Sequence, residues 1–436
     1  MPSYVLQPPM EPGPPPAWSG SAWVGAVDMS SPMGDRISLA GAVGYQRARL
    51  LVRRGRHPRG FVELQVRAGS VSLEDLLRQA AMLPEPPQDQ APPSLLPVTV
   101  VLCTRDRPAP LRMALTSLLT LDYPQVEIIV VDNASVTEAS ADVVASIGDE
   151  RVRLVKEPRP GLARARNRGV VEASNDIVAF TDDDVIVDGW WLRGLMDGFA
   201  ADSNVACVCG MVPSAELRSF AQAYFDRRVT WAQSCSARTY SLSAPPRDQH
   251  LFPFQVGQFG TGANFAMRRG VVAALGGFDE ALGVGSQTRG GEDIDMFVRV
   301  LLAGHMLTYQ PSALVWHRHR ADLSSLHSQI SGYGLGLGAW ITKLLCDRRT
   351  ARMVIKRAWR GLSHVRTMTR VDVQHQQDTA EPEAGGRLRA TELWGMARGP
   401  AAYARARLSG ARKAPLHAAS LSRNDHHGAA HPRAYP

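Results

Sequence analysis

Short apolar runs alternate with helically spaced segments from about residue 98 onwards. Val98–Cys103, Glu127–Val131 and Ile177–Phe180 are rich in β-branched residues and are typical of buried strands. Between the first two runs, apolar residues recur at helical spacing from Leu111 to Leu119. Strands that alternate with helices predict an α/β fold with a doubly wound, mainly parallel sheet.

Polar residues follow each of these runs. Thr104 follows the first run, Asp132 the second, and three consecutive aspartates, Asp182–Asp184, come directly after Thr181 at the end of the third. Ligands of open α/β sheets bind beyond the carboxyl ends of the strands. We therefore expect these residues to lie at one edge of the sheet and to form a binding site there.

The three aspartates indicate a divalent cation. Adjacent carboxylates repel one another, and without a cation the pKa of at least one would be raised. Mg²⁺ or Mn²⁺ removes this conflict, and Mg²⁺ is usually held by one or two carboxylates together with substrate phosphates. A solvated acidic turn is the alternative interpretation of Asp182–Asp184.

Changes in composition divide the chain into six parts. We predict a disordered Pro-rich segment at 1–20, a small α+β unit at 21–83, a linker at 84–97, the α/β body at 98–320, a helical extension at 321–365 and a basic, partly disordered tail at 366–436. The tail accounts for the basicity of the chain, since residues 347–436 contain 17 Lys and Arg against 7 Asp and Glu. The net charge of residues 347–436 is therefore +10. Because the net charge of the whole chain is +8, residues 1–346 carry −2.

A tail of this charge suits an acidic lipid surface or an anionic polymer, and a solvated tail is an equal alternative. We expect no specific nucleic-acid partner. The apolar stretch Tyr333–Leu345 is too short to span a bilayer and precedes Arg348, Arg349, Arg352, Lys356 and Arg357. It suits an interfacial helix on a membrane surface or packing on the body. Five cysteines without zinc-type spacing and an N-terminus without a signal-peptide pattern predict a cytoplasmic location.

Seven motifs in one order resemble the family-2 glycosyltransferases, which have a GT-A type fold. The motifs are Thr104–Arg107, Val131–Asn133, Gly161–Asn167, Asp182–Asp184, Gly276–Glu280, Glu292–Asp293 and Trp316–His317. Each alone is weak, but together they cover about half of the chain, from Val98 to Arg320. The resemblance implies that 98–320 is a catalytic domain that transfers a sugar from a nucleotide-diphosphate sugar to an acceptor hydroxyl with inversion, using Mn²⁺ or Mg²⁺.

The resemblance also implies roles for the acidic residues. Asp184 would contact the metal directly, and Asp182 would contact the ribose or a metal-bound water. Asp183, the variable middle position, either adds to the donor site or faces away. His317 would complete the metal shell, although a surface or phosphate-contacting histidine is an alternative.

Asp293 is the expected general base, since inversion by a single displacement needs a group that removes the proton of the acceptor hydroxyl. Asp293 would lie in the first turn of a helix that begins at Glu292, and the helix dipole would favour the ionised form of Asp293. Simple stabilisation of the helix dipole is the alternative role of Glu292 and Asp293. Asp295 points elsewhere on the helix and is expected to pair with Arg299.

The remaining residues assigned to the donor site would contact the nucleotide. They are Thr104, Arg107, Asp132, Arg164 and Asn167, together with Asp182 and Asp183. Thr104 and Asp132 would bound the base and ribose. Because Arg164 and Arg168 share one helix face, only part of the basic cluster after Gly161 is expected to reach the donor.

Two other functions remain possible at this stage. A catalytically inactive sugar-nucleotide-binding assembly protein would keep the fold, but the intact acidic residues argue against it. A nucleotidyltransferase would normally show a Gly-rich phosphate loop after the first strand, where Thr104–Pro108 has arginines and no glycine. A dinucleotide oxidoreductase is disfavoured because no G-x-G-x-x-G follows that strand. The acceptor, whether saccharide, lipid-linked, small-molecule or peptide, is not indicated.

Overall fold

The computed structural model describes residues 4–32, 36–86, 94–229, 232–255, 257–357 and 382–416. They form an N-terminal α+β unit, an α/β body and a helical C-terminal region. The predicted linker at 84–97 falls partly outside these residues, as do residues 358–381 and 417–436 of the predicted extension and tail.

The N-terminal unit contains two three-stranded sheets and one helix. Its elements are β1 (Tyr4–Leu6), β2 (Trp23–Asp28), β3 (Arg36–Leu39), β4 (Arg47–Arg54), β5 (His57–Gln65), β6 (Ser70–Ser72) and α1 (Leu73–Ala80). The strand orders are β1-β3-β6 and β2-β4-β5. The prediction of disorder at 1–20 is wrong for the described part, because β1 pairs in parallel with β3 and buries Leu6. Ion pairs from Arg49 to Asp226 and from Arg53 to Asp188 join this unit to the body.

The body is built on a nine-stranded sheet. Its strands are β7 (Val98–Thr104), β8 (Val126–Asn133), β9 (Val152–Glu157), β10 (Ile177–Asp182), β11 (Val185–Val187), β12 (Val205–Met211), β13 (Arg238–Tyr240), β14 (Asn264–Arg268) and β15 (Met306–His317). The order is β11-β15-β12-β14-β10-β7-β8-β9, with β13 paired to β15. The contiguous strands β10, β7, β8 and β9 are parallel, and β14 runs antiparallel between β10 and β12.

Helices cover both faces of this sheet. They are α2 (Pro108–Leu119), α3 (Ala139–Ile147), α4 (Leu162–Glu172), α5 (Trp191–Ala200), α6 (Phe220–Arg228), α7 (Arg269–Ala274) and α8 (Glu292–Leu302). Along β7, Val100 faces the core beneath α2 and α5, whereas Val101 faces the core beneath α4 and α8. This alternation is that of a strand buried on both sides. The predicted α/β fold with a doubly wound, parallel-rich sheet is confirmed, and β11, β13 and β14 add antiparallel pairs.

Two C-terminal helices, α9 (Leu323–Cys346) and α10 (Pro382–Leu408), pack closely against each other. A Cβ added to Gly334 would lie 2.1 Å from the carbonyl oxygen of Glu392, and one added to Gly338 would lie 2.1 Å from that of Met396. Only glycine therefore permits the two helices to approach this closely. The predicted partly disordered tail therefore contains a long helix, α10, which the sequence analysis missed. Residues 348–357 are also helical.

The α9 helix lies on the body, which decides between the two interpretations of the stretch Tyr333–Leu345. Trp340 and Leu344 are buried in the main core, and Gly336 lies against the turn at Gly290 and Gly291. Within the described residues, no helix combines the length and the apolar character needed to cross a bilayer.

Candidate active site

The polar residues that end β7, β8 and β10 lie side by side, as predicted. Thr104 is the register partner of Asp132, and Asp182 is the partner of Cys103. The Asp132 carboxylate is buried and accepts a hydrogen bond from the hydroxyl of Ser135. The register of the parallel strands thus brings the ends of three chain segments to one edge of the sheet.

Asp182, Asp184 and His317 form a cluster that fits a divalent metal ion. One ligand atom from each lies within 4.8 Å of the others. The antiparallel ladder between β11 and β15 places His317 opposite Val185, and its Nε2 lies 3.1 Å from Asp184 Oδ1. Two carboxylates and one imidazole are a donor set that suits Mn²⁺, and the carboxylates alone also suit Mg²⁺.

The charges in this cluster shift the pKa of each member. Burial raises the pKa of Asp182 to about 6, assisted by Asp184 and opposed by Arg166. For Asp184, burial acts in the same direction, but His317 and Arg107 outweigh it and hold its pKa well below the usual range. Burial lowers the pKa of His317, yet the charge and hydrogen bond of Asp184 more than compensate, so the net shift is upwards. These opposed shifts are the signature of crowded charges that a cation would relieve.

Asp183 neither faces away nor lies in a solvated turn. It is buried, it accepts a hydrogen bond from Thr104 Oγ1 at 2.7 Å, and it pairs with Arg107. Burial raises its pKa to about 7, against the lowering effect of Arg107. Arg107 also donates to Asp184 Oδ2 at 3.0 Å, so it links the buried aspartate to a metal-site aspartate. The side chains of Thr104 and Arg107 therefore satisfy the buried carboxylate of Asp183 next to the metal cluster.

Arg166 belongs to the Gly161–Asn167 motif but was not among the expected site residues. It is almost fully buried on α4, 2.9 Å from Glu292 Oε1 and 3.7 Å from Asp182 Oδ1. It also donates to the carbonyl oxygen of Gly262 at 2.9 Å. Arg166 thus connects the metal cluster to the first turn of α8.

Asp293 lies in that turn and is held by the same glycine. The amide of Gly262 donates to Asp293 Oδ2 at 2.7 Å. A Cβ at Gly262 would lie 2.7 Å from Arg166 Nη2 and 3.1 Å from Asp293 Oδ2, so a side chain there would displace both groups. Asp293 is half-buried, whereas its neighbour Glu292 is buried.

Glu292 is distinguished from Asp293 by its environment. Burial raises the pKa of Glu292 to about 7, with a further increase from Asp293 and a decrease from Arg166. Its carboxylate is committed to the pair with Arg166. Glu292 therefore holds Arg166 in place, and Asp293 is the more accessible carboxylate of the two.

Two predicted nucleotide contacts lie away from the metal cluster. The Asn167 side chain is buried and makes two hydrogen bonds to the backbone of Phe278. Its Nδ2 donates to the carbonyl oxygen at 2.9 Å, and its Oδ1 accepts from the amide at 2.7 Å. Arg164 pairs with Glu280 at 3.3 Å. Both side chains brace the loop that follows α7, because this side of α4 faces that loop. The predicted pair of Asp295 and Arg299 is confirmed, at 2.7 Å.

The chain is similar in sequence to several known proteins. Residues 99–276 match the family model described as Glycosyl transferase family 2. The pre-mycofactocin glycosyltransferase of Mycobacterium tuberculosis is 30% identical over 266 residues, which are 61% of this chain and 51% of that relative. The probable glycosyltransferase YdaM of Bacillus subtilis is 24% identical over 235 residues, which are 51% of this chain and 50% of that relative. The chain thus spans about half the length of both relatives.

The chain also resembles a solved structure. The mannosyltransferase PcManGT from Pyrobaculum calidifontis, solved in complex with GDP-Man and Mn²⁺, has a TM-score of 0.44 at 19% identity. The match covers 78% of this chain and 83% of that one. The family resemblance inferred from the motifs is confirmed by the family model and by the curated relatives. The similarity to glycosyltransferase family 2 is thus established for the segment of residues 99–276.

Proposed function

We propose that the chain is a metal-dependent, inverting glycosyltransferase that uses a nucleotide-diphosphate sugar as donor and a hydroxyl group as acceptor. The observation that carries this proposal is the pairing of two sites at one sheet edge. One is the cluster of Asp182, Asp184 and His317, and the other is the carboxylate of Asp293. Arg166 lies 3.7 Å from Asp182 of the cluster and 2.9 Å from Glu292, the neighbour of Asp293 in the chain.

The first site is suited to hold a divalent ion against the donor diphosphate. Asp184 and His317 would be direct ligands, and Asp182 would be a ligand or would contact a metal-bound water. A bound Mn²⁺ or Mg²⁺ would neutralise the charge that develops on the leaving diphosphate. The Asp132 carboxylate, near the end of β8, would accept a hydrogen bond from the nucleoside.

The second site is suited to remove the acceptor proton. The amide of Gly262 fixes the Asp293 carboxylate, which also lies at the N-terminus of α8. A carboxylate held in a fixed orientation suits the role of a general base for a hydroxyl group. Glu292 is less suited to this role because its carboxylate is buried and bonded to Arg166. One base, acting from the side opposite to the leaving group, corresponds to a single displacement and hence to inversion.

The experiment that tests this proposal is a donor screen. The full chain is incubated with UDP-, GDP- and dTDP-sugars in the presence of Mn²⁺, Mg²⁺ or EDTA, and release of the nucleoside diphosphate is measured. We expect release from one donor class, loss of release in EDTA, and recovery when metal is added back. NMR of a glycosylated acceptor hydroxyl would then show the inverted anomer.

Two results would contradict the proposal. Turnover that is equal with and without EDTA would remove the metal from the mechanism. Tight nucleotide-sugar binding without release or transfer to any acceptor would favour the inactive assembly protein.

A further inference from the structure

The α10 helix has an occupied side and an open side. On the occupied side, a Cβ at Gly399 would lie 2.3 Å from the Gly338 backbone, and Tyr403 and Ala406 are buried. Glu392 pairs with Arg228 of α6, and Arg407 pairs with Asp279 of the body. These contacts fix the rotation of α10 about its axis, so the identity of its outer residues follows from the fold.

The open side carries an apolar stripe. Leu393, Trp394 and Leu408 are 64%, 66% and 88% exposed. The residues of the stripe are Ala390, Trp394, Ala397, Ala401, Ala404 and Leu408, all of them exposed. Their alternating spacing of four and three residues keeps them on one helix face. No described residue covers this face.

The same side is strongly basic. Arg387, Arg389, Arg398 and Arg405 are exposed, and none of the four has an ion-pair partner among the described residues. From residue 386 to residue 408 the only carboxylate is Glu392, which is turned towards Arg228. The open side of α10 therefore combines an apolar stripe containing tryptophan with four arginines that have no ion-pair partner among the described side chains.

We propose that this face of α10 docks on the surface of an anionic lipid bilayer. A basic amphipathic helix with Trp and Leu on its apolar face is suited to lie in the plane of the interface, with arginines at the phosphate groups. A second copy of the chain fits less well, because two such faces would bring four arginines of each copy together. The proposal is independent of the transfer reaction and can be tested without a donor or an acceptor.

The location of the docking face differs from the one suggested by sequence alone. The stretch Tyr333–Leu345 belongs to α9, which packs on the body and on α10. The lipid-facing element is instead the helix that α9 supports. Through the pair of Arg407 and Asp279, α10 is fixed to the loop that precedes the active-site turn of α8. A docked α10 would therefore hold the catalytic domain in a defined orientation on the membrane.

Vesicle sedimentation of the full chain tests the proposal. We expect binding to phosphatidylcholine vesicles that contain about 30 mol% of the anionic lipid phosphatidylglycerol. We expect little binding to vesicles of pure phosphatidylcholine. Replacement of Arg387, Arg398 and Arg405 by Glu should weaken the binding at least about tenfold. The matched control replaces Arg36, Arg227 and Arg247 by Glu, which changes the net charge equally at exposed positions elsewhere, and should bind almost as well as the parent.

A second measurement identifies the apolar stripe. Vesicles that contain brominated lipid should quench the fluorescence of Trp394, and the Trp394→Phe variant should lose this quenching, whereas Trp190→Phe should retain it. Circular dichroism of each variant verifies that α10 is still folded.

Three results would overturn the proposal. The first is equal binding of the parent to neutral and anionic vesicles, or no binding to either. The second is that both arginine triples weaken vesicle binding equally and Trp394 is not quenched. This result would indicate an unspecific attraction between positive and negative charges, in which case heparin should bind equally well. The third is a dimer in light scattering that Trp394→Asp dissociates, which would assign the face to a second copy.

Discussion

Lys343 of α9 donates a hydrogen bond to Asp295 of α8 at 2.7 Å, two residues beyond the proposed base. It also lies 2.8 Å from Asp279, which pairs with Arg407 of α10. All three of Lys343, Asp279 and Asp295 are buried. Burial would raise the pKa of Asp295, but Arg299 and Lys343 outweigh it and lower the pKa. The C-terminal helices therefore carry charges that the catalytic domain needs for its own buried carboxylates.

Replacement of Lys343 by Met should destabilise the whole domain. Two buried carboxylates would lose one cation each, and breaking a buried pair in this way costs about 3–5 kcal/mol. The free energy of unfolding, measured by urea denaturation, should fall by this amount. Lys356→Met, at an exposed lysine outside this network, is the control and should change it by less than about 0.5 kcal/mol. Equal stability of the two variants would show that the network contributes nothing.

The sequence predicted the sheet edge because strand ends leave a local signal. An apolar run that stops at Thr104, Asp132 or Asp182 shows both the strand and the residue it delivers, and the parallel register does the rest. His317 lies far along the chain, and only the family resemblance pointed to it. Its position beside Asp184 depends on the pairing of β11 with β15.

The part that sequence reasoning missed depends on which helix face is buried. Ala163, Arg166, Asn167 and Val170 share one buried face of α4. This spacing was visible in the sequence, but two polar residues concealed it. Lys343 gave no local signal at all, because its partners come from loops and helices distant in the chain. The same applies to α10, whose contact with α9 depends on glycines in two separate segments.

Asp184→Asn should remove the metal site while the fold remains. The amide keeps the shape and can still hydrogen-bond, but it lacks the charge that both His317 and a cation need. Loss of a residue that only hydrogen-bonds to a metal ligand lowers metal affinity by up to about 100-fold. Loss of the ligand itself should cost at least as much, so we expect the affinity for Mn²⁺, measured by calorimetry, to fall at least about 100-fold. Asp122→Asn, at a fully exposed carboxylate, is the control. An Mn²⁺ affinity within a factor of two of the parent would remove Asp184 from the set of ligands.

Binding of Mn²⁺ should strengthen as the pH rises from 5 to 8. The pKa of Asp182 is raised to about 6 and that of His317 is also raised, so both groups hold protons at the acidic end. A metal binds only the deprotonated forms, hence protons compete with it at the acidic end of this range and are released when it binds. Calorimetry in two buffers of different ionisation enthalpy measures the released protons. A flat affinity across this range with no proton release would contradict the assignment of Asp182 and His317 as ligands.

Asp293→Asn should slow transfer and leave binding intact. The asparagine Oδ1 can still accept the hydrogen bond from the amide of Gly262, so the turn keeps its shape, but the side chain can no longer take a proton. General-base catalysis typically contributes about 10²–10⁴-fold, and kcat should fall by a factor in this range while the affinities for donor and Mn²⁺ stay within about twofold. The control is again Asp122→Asn, which should transfer at the parent rate.

The result for Asp293 separates chemistry from structure. If Asp293→Asn instead abolished donor binding, the carboxylate would serve to hold Gly262 and Arg166 in position, and the base would have to be sought elsewhere. A pH–rate profile gives the second distinction. With Mn²⁺ saturating at every pH, so that protonation of Asp182 and His317 does not limit the rate, loss of rate at acidic pH in the parent but not in the variant is expected only if the lost carboxylate accepts the proton in the rate-limiting step.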